Sequence, residues 1–165
     1  MSAAFIVLAL VSLERLAELV ISNRNTRRLM AEGATEVGAG HYPFIVGVHT
    51  LWLVSLFFWV GVNHSEVNLA WLGVYLALQV LRAWVMTTLG RYWTTRIIVP
   101  KAVPLITGGP YRFFRHPNYV VVTLEIAVLP LAVDAWPVAV VFTVLNGLVL
   151  WVRIRAENAS FAARG

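Results

Sequence analysis

The sequence predicts an all-α integral membrane protein, a bundle of about five transmembrane helices that ends in a helical hairpin. Three observations carry that reading. Of 165 residues, 59% are apolar and 13% are charged, against roughly 45–50% and about 25% in soluble domains. Apolar blocks of membrane-crossing length recur along the chain, and Lys and Arg fall almost wholly in alternate connections between them. A soluble domain of this size has too little interior to hide seven Trp, eight Phe and five Tyr as well. A cytosolic enzyme is excluded.

A helix needs ~20 apolar residues to cross ~30 Å of hydrocarbon. Residues 3–22, 44–62 and 69–89 each meet that length. The block 119–152 is too long for one straight helix and is interrupted around Pro130, Asp134 and Pro137. It reads as a hairpin, 119–133 and 137–152, with a tight turn from Val133 to Pro137. Each arm is short, so tilt or local thinning has to accommodate it. Five helices is the count this yields, with four as the alternative. Glu14, Arg15 and Glu18 interrupt the first block, and it lacks a basic start and a small-residue cleavage site, so it is not read as a signal peptide. The spans are joined by two long loops, 23–43 and 90–118, and by short turns.

The basic residues decide the helix count. Arg24, Arg27 and Arg28 lie in 23–43; Arg91, Arg96, Lys101, Arg112 and Arg115 lie in 90–118; Arg153, Arg155 and Arg164 lie in the tail. Eleven of the thirteen thus share one side of a five-helix bundle, and segments 63–68 and 134–136 hold none. The positive-inside rule then puts the N-terminus outside and the C-terminus in the cytoplasm. A four-helix chain would spoil that bias. The same distribution explains the net charge of +5 by topology, so no nucleic-acid partner is expected. Without cysteine there are no disulfides, thiolate nucleophiles or Cys-based metal sites. The four histidines (41, 49, 64 and 116) are too scattered for a metal cage, so no metal is expected.

The loop 90–118 and the tail meet at the basic face, and both carry polar residues suited to a site. In Arg115-His116-Pro117-Asn118-Tyr119, Pro117 suits the first position of a helix. The N–H groups of that helix start would face the cytosol and could bind a carboxylate or phosphate. The plainer reading is a capped helix start with an interfacial Tyr. Arg153 and Glu157 are spaced to share one helix face. There the plainer reading is a pair of snorkelling arginines, Arg153 and Arg155, at a helix end. Within the spans lie Glu14, Arg15, Glu18, Gln79, Arg82 and Glu125. Unpaired, such charges cost several kcal/mol, so an internal network with Arg82 facing Glu125 is expected. It serves either as a structural clasp or in substrate binding.

Trp93-Thr94, Pro104-Leu105-Ile106-Thr107, Gly109-Pro110-Tyr111, Arg-His-Pro-Asn-Tyr at 115–119, a helical hairpin and then Arg153…Glu157 form an ordered set. That set, over residues 84–160, resembles the isoprenylcysteine carboxyl methyltransferase family, particularly its small bacterial members. Glu14-Arg15-Leu16, Glu18 and Arg24-Asn25 are similar to the same branch. The resemblance implies a single membrane-embedded methyltransferase domain over 1–165, in a bacterial-type inner membrane. S-adenosylmethionine is the implied cofactor, held between 91–119 and 152–160 at the cytoplasmic face. It also implies that Val103, Leu105, Ile106 and Tyr111 line the cofactor cleft. His116, Pro117, Asn118 and Tyr119 would form a second wall. Glu157 would hold the cofactor and Arg153 the acceptor, the two serving as catalytic residues. The implied reaction is methyl transfer to a carboxylate or acidic hydroxyl of a lipophilic acceptor, such as a prenylcysteine-like or polyketide lipid. Many relatives have Gly where this chain has Val121, and a second acid where it has Asn158. The Arg-His-Pro-Asn-Tyr run is shared with NADPH-dependent sterol-type reductases, which are the enzymatic alternative. A non-enzymatic membrane scaffold is the other.

Overall fold

The computed structural model describes residues 2–101 and 106–162. Five α-helices form an up-and-down bundle: α1 (Ala3–Ala31), α2 (Tyr42–Asn63), α3 (Leu69–Leu89), α4 (Pro117–Ala132) and α5 (Trp136–Ala162). Of these, α2, α3 and α5 are long and apolar enough to span a membrane. The chain is an integral membrane protein. The surface is inverted relative to a soluble bundle, with Leu10, Leu13, Val20, Leu51, Phe58 and Val80 on the outside. The inside holds Leu8, Trp52, Leu56, Val60, Ile126 and Leu129.

The expected hairpin is present. Helix α4 ends at Ala132, and Asp134 turns the chain with φ 54° while Ala135 N–H donates to Pro130 O at 2.8 Å. Pro130, expected among the interruptions, sits inside the last turn of α4. Its ring withdraws the usual donor from the Ile126 carbonyl one turn back, and the helix closes two residues later. The turn is tied to its neighbours: Trp59 Nε1 donates to Asp134 O at 3.1 Å, and Asn68 N–H to Ala132 O at 2.9 Å. Asn68 also caps α3 by accepting from Ala70 N and Trp71 N.

Three expectations about extent need correction. Helix α1 does not stop at residue 22 but runs to Ala31. Residues 23–31 contain no Gly or Pro, so nothing halts the helix once it leaves the apolar zone. It stops at Gly33, where φ is +86° and the N–H groups of Gly33 and Ala34 close on Met30 O and Leu29 O, a Schellman end. Helix α5 likewise continues past 152 to Ala162, so Arg153 and Glu157 stand on one uninterrupted rod. The long loops are also not wholly loops. Strand β1 (Thr35–Val37) pairs antiparallel with β2 (Ile97–Val99), Glu36 opposite Ile98.

Side-chain bonds fasten this ribbon to the end of α1. Asn25 Nδ2 donates to Trp93 O at 2.8 Å, and Thr95 N–H donates to Ser22 Oγ at 2.8 Å. Arg96 reaches Glu36 at 2.8 Å and lies over the Tyr42 ring at 4.3 Å. The connections 32–41, 90–101 and 106–116 and the end of α5 therefore gather at one end of the bundle, and the start of α1 lies at the other.

The charges within the spans form one network across α1, α3 and α4. Arg82 bonds both carboxylate oxygens of Glu18 and reaches Glu125 at 2.8 Å. Arg15 reaches Glu18 at 2.9 Å, Glu125 at 3.3 Å and Tyr75 OH at 3.3 Å, and Gln79 Nε2 donates to Glu125 at 3.0 Å. The expected meeting of Arg82 with Glu125 is present, and the network is a clasp between helices.

Arg82→Met leaves two buried carboxylates, Glu18 and Glu125, sharing the Arg15 cation, and should destabilise the protein by about 3–5 kcal/mol, read as a lowered unfolding midpoint in detergent. Adding Glu125→Gln should restore much of the loss, because Arg15 and Glu18 then balance each other at 2.9 Å. An unchanged midpoint in Arg82→Met refutes the clasp. In the cysteine-free chain, single cysteines at the exposed positions Glu66 and Gly108 should label from opposite sides of the membrane.

Candidate active site

At the basic end a cavity of about 340 Å³ opens between β2, the start of α4 and the last turns of α5. Of the residues expected to form a site, Ile106, Tyr111, His116, Asn118, Tyr119, Arg153 and Glu157 line it. Pro117 is buried at the first position of α4 behind this wall, and Val103 and Leu105 lie outside the described residues.

The centre of the cluster is the Tyr119 hydroxyl. It donates to Glu157 Oε2 and accepts from Arg153 Nε at 2.8 Å. Arg153 and Glu157 thus do not form the intrahelical pair that their spacing allows, because Tyr119 from α4 stands between them. Arg153 is only 6% exposed, which excludes a snorkelling anchor. Its guanidinium lies 5.4 Å from the Tyr119 ring centroid, and its terminal nitrogens make no hydrogen bond among the described residues. His116 stacks on the other side of the cluster, its ring 5.3 Å from that of Tyr119 and its Nδ1 3.9 Å from Glu157.

The helix start differs from a capped one. His116 contributes no side-chain cap to α4, and its backbone carbonyl accepts from Tyr119 N and Val120 N. Pro117 has no N–H, so the Asn118 N–H is what α4 leaves available. This is fewer donors than the sequence suggested. Val121, in place of a glycine, is buried without parting α4 from its neighbours.

Three buried polar atoms of residues lining the cavity lack a partner among the described residues: His116 Nε2, Asn118 Oδ1 and Trp93 Nε1. Such atoms are costly unless something bonds them, and here a ligand can. Burial, and then the charge of Glu157, push the Tyr111 phenol up to about 12. It therefore stays a neutral hydrogen-bond donor at any working pH. Among the described residues no three His, Asp or Glu are grouped to hold a metal ion.

The family model for isoprenylcysteine carboxyl methyltransferases matches residues 71–163, from α3 through the cavity to the end of α5. The chain belongs to the isoprenylcysteine carboxyl methyltransferase family. Its family is one of membrane methyltransferases, and the match covers every described residue of the cluster just set out. The chain is also similar to the uncharacterized protein YpbQ of Bacillus subtilis (strain 168). The two are 38% identical over 157 residues, 93% of this chain and 94% of that one. No solved structure matches.

Sequence reasoning missed one wall of this methyltransferase's cavity. Ile97, Ile98 and Val99 of β2, with Leu89 at the end of α3, supply much of the apolar lining. The β-branched run Ile-Ile-Val was the available signal. The bridging hydroxyl of Tyr119 was also not foreseen, since it depends on how α4 and α5 are rotated against each other.

Proposed function

We propose that this protein transfers a methyl group from S-adenosylmethionine to an oxygen of a lipophilic, anionic acceptor at the cytoplasmic face. The observation that carries this is the convergence of one carboxylate, one buried guanidinium and unpartnered polar atoms on a cavity with apolar walls. The cofactor fits that lining. Glu157 offers the negative charge that its cationic groups require, and the Asn118 N–H with His116 Nε2 offers donors or acceptors for its polar end. When bound, S-adenosylmethionine supplies an electrophilic methyl on a sulfonium. Arg153, whose terminal nitrogens are uncommitted among the described residues, orients the anionic end of the acceptor while the lipid chain stays in the bilayer. A carboxylate with pKa ~4 arrives ionised, so no protein base is needed. Leu89, Ile97 and Ile106 keep water from the nucleophile, and alignment supplies most of the rate. The ten described basic residues on the cavity's side of the bundle support the cytoplasmic orientation.

Labelled S-adenosylmethionine should bind purified protein, and NADPH should not; the reverse result would establish a reductase. His116→Ala and Glu157→Gln should each weaken cofactor binding by on the order of tenfold while the protein stays folded. Unchanged affinity in both variants removes the site from consideration. Arg153→Lys should retain cofactor binding and lose most methyl transfer, because a lysine cannot copy the planar two-pronged contact. Wild-type turnover in that variant defeats the acceptor assignment.

A further inference from the structure

The connection into α4 carries Arg112, Phe113, Phe114 and Arg115, all four of them exposed. Phe113 is 71% exposed and Phe114 55%. Their display is fixed by the backbone beneath. The N–H groups of Phe113 and Phe114 both donate to Pro110 O, at 3.1 and 3.2 Å, and Pro110 itself is buried. Gly109 has φ +56°, and a Cβ there would stand 2.6 Å from Thr88 Oγ1 of α3. The turn is therefore seated on the end of α3 too closely for a side chain. It holds two aromatic rings outward at the end of the bundle.

The flanking charges complete the display. Elsewhere at this end, Arg28 and Arg91 both engage Glu32, and Arg96 engages Glu36. Arg112 and Arg115 have no ion-pair partner among the described residues. Two exposed rings between two uncompensated guanidinium groups match the layered chemistry of a bilayer surface, apolar just below the anionic headgroups. The strap also joins two membrane helices at the level where the apolar exterior of the bundle gives way to polar connections.

The geometry points to Arg112-Phe113-Phe114-Arg115 as a docking strap for anionic phospholipid headgroups. Phe113 and Phe114 lie below the phosphate layer, and Arg112 and Arg115 hold negatively charged headgroups above it. Arg115 also lines the cavity and is followed directly by His116. A bound headgroup therefore abuts the wall of the site. This inference does not require the methyl-transfer reading, because its test measures lipid contact alone.

The test uses the full chain in phosphatidylcholine vesicles carrying a trace of dansyl-labelled phosphatidylglycerol or dansyl-labelled phosphatidylcholine. Energy transfer from the protein's tryptophans reports which lipid sits against it. The wild type should favour the anionic probe by about twofold or more, with a ceiling near fivefold per arginine. Added salt should reduce the preference, and millimolar glycerol phosphate should not, since a free phosphate lacks the lipid's seat. Arg112→Gln with Arg115→Gln should abolish most of it. Arg24→Gln with Arg27→Gln, both exposed on α1 and without an ion-pair partner among the described residues, should leave most of it intact. If the strap variant keeps the full preference, or the α1 variant loses as much, the strap is not the docking site. Phe114→Cys tests for another occupant: a disulfide-linked dimer in vesicles would show a second copy covering this face and would overturn the proposal.

Discussion

A guanidinium in hydrocarbon must find carboxylates, and Arg82 is where this fold meets that demand. Its side chain is 7% exposed, against 8% for Glu18 and 3% for Glu125. Those partners come from α1 and α4, so satisfying one cation fixes how three helices lie against one another. Lipid-facing leucines cannot supply this specificity, because apolar side chains gain as much from lipid tails as from each other. The ion network specifies the arrangement, at a cost in desolvation that Arg15, Gln79 and Tyr75 offset with further bonds.

Fixing α4 in this way has effects at its other end. Tyr119 lies six residues, nearly two turns, before Glu125 on α4, and the same helix that enters the clasp presents the phenol to Arg153 and Glu157. The second partner, α5, is one rod from the far turn to the site and packs along α4. The third wall is held from outside the span, where Ser22 and Asn25 in the extension of α1 grip the segment leading to β2. The cavity thus depends on two separate fastenings, one ionic and inside the membrane, the other neutral and beyond it.

The contrast between these fastenings explains what the sequence disclosed. Spans, hairpin and the shared basic end were legible because hydropathy and charge act over whole segments. Arg82 with Glu125 was legible because a buried charge requires a partner and few were on offer. His116, Tyr119, Arg153 and Glu157 were legible as a motif in order, and the structure brings them to one cavity. The polar continuation of α1 was not, since hydropathy falls silent once a helix leaves the apolar zone while the backbone has no reason to stop. Three-residue strands leave only a faint trace, here the Ile-Ile-Val run of β2, and Arg96 meets Glu36 only because the strands pair. The hydroxyl of Tyr119 between Arg153 and Glu157 depends on helix rotation, which spacing along one chain does not encode.

The brevity of α4 has a mechanical consequence. Its 16 residues span about 24 Å, against ~30 Å of hydrocarbon. A helix that short leaves an end within the depth of the lipid tails, and the cavity opens at its start. Drawing a lipid tail upward into water costs about 0.8 kcal/mol per methylene. A cavity at that depth would spare that work, because a water-soluble molecule would descend to meet an oily one.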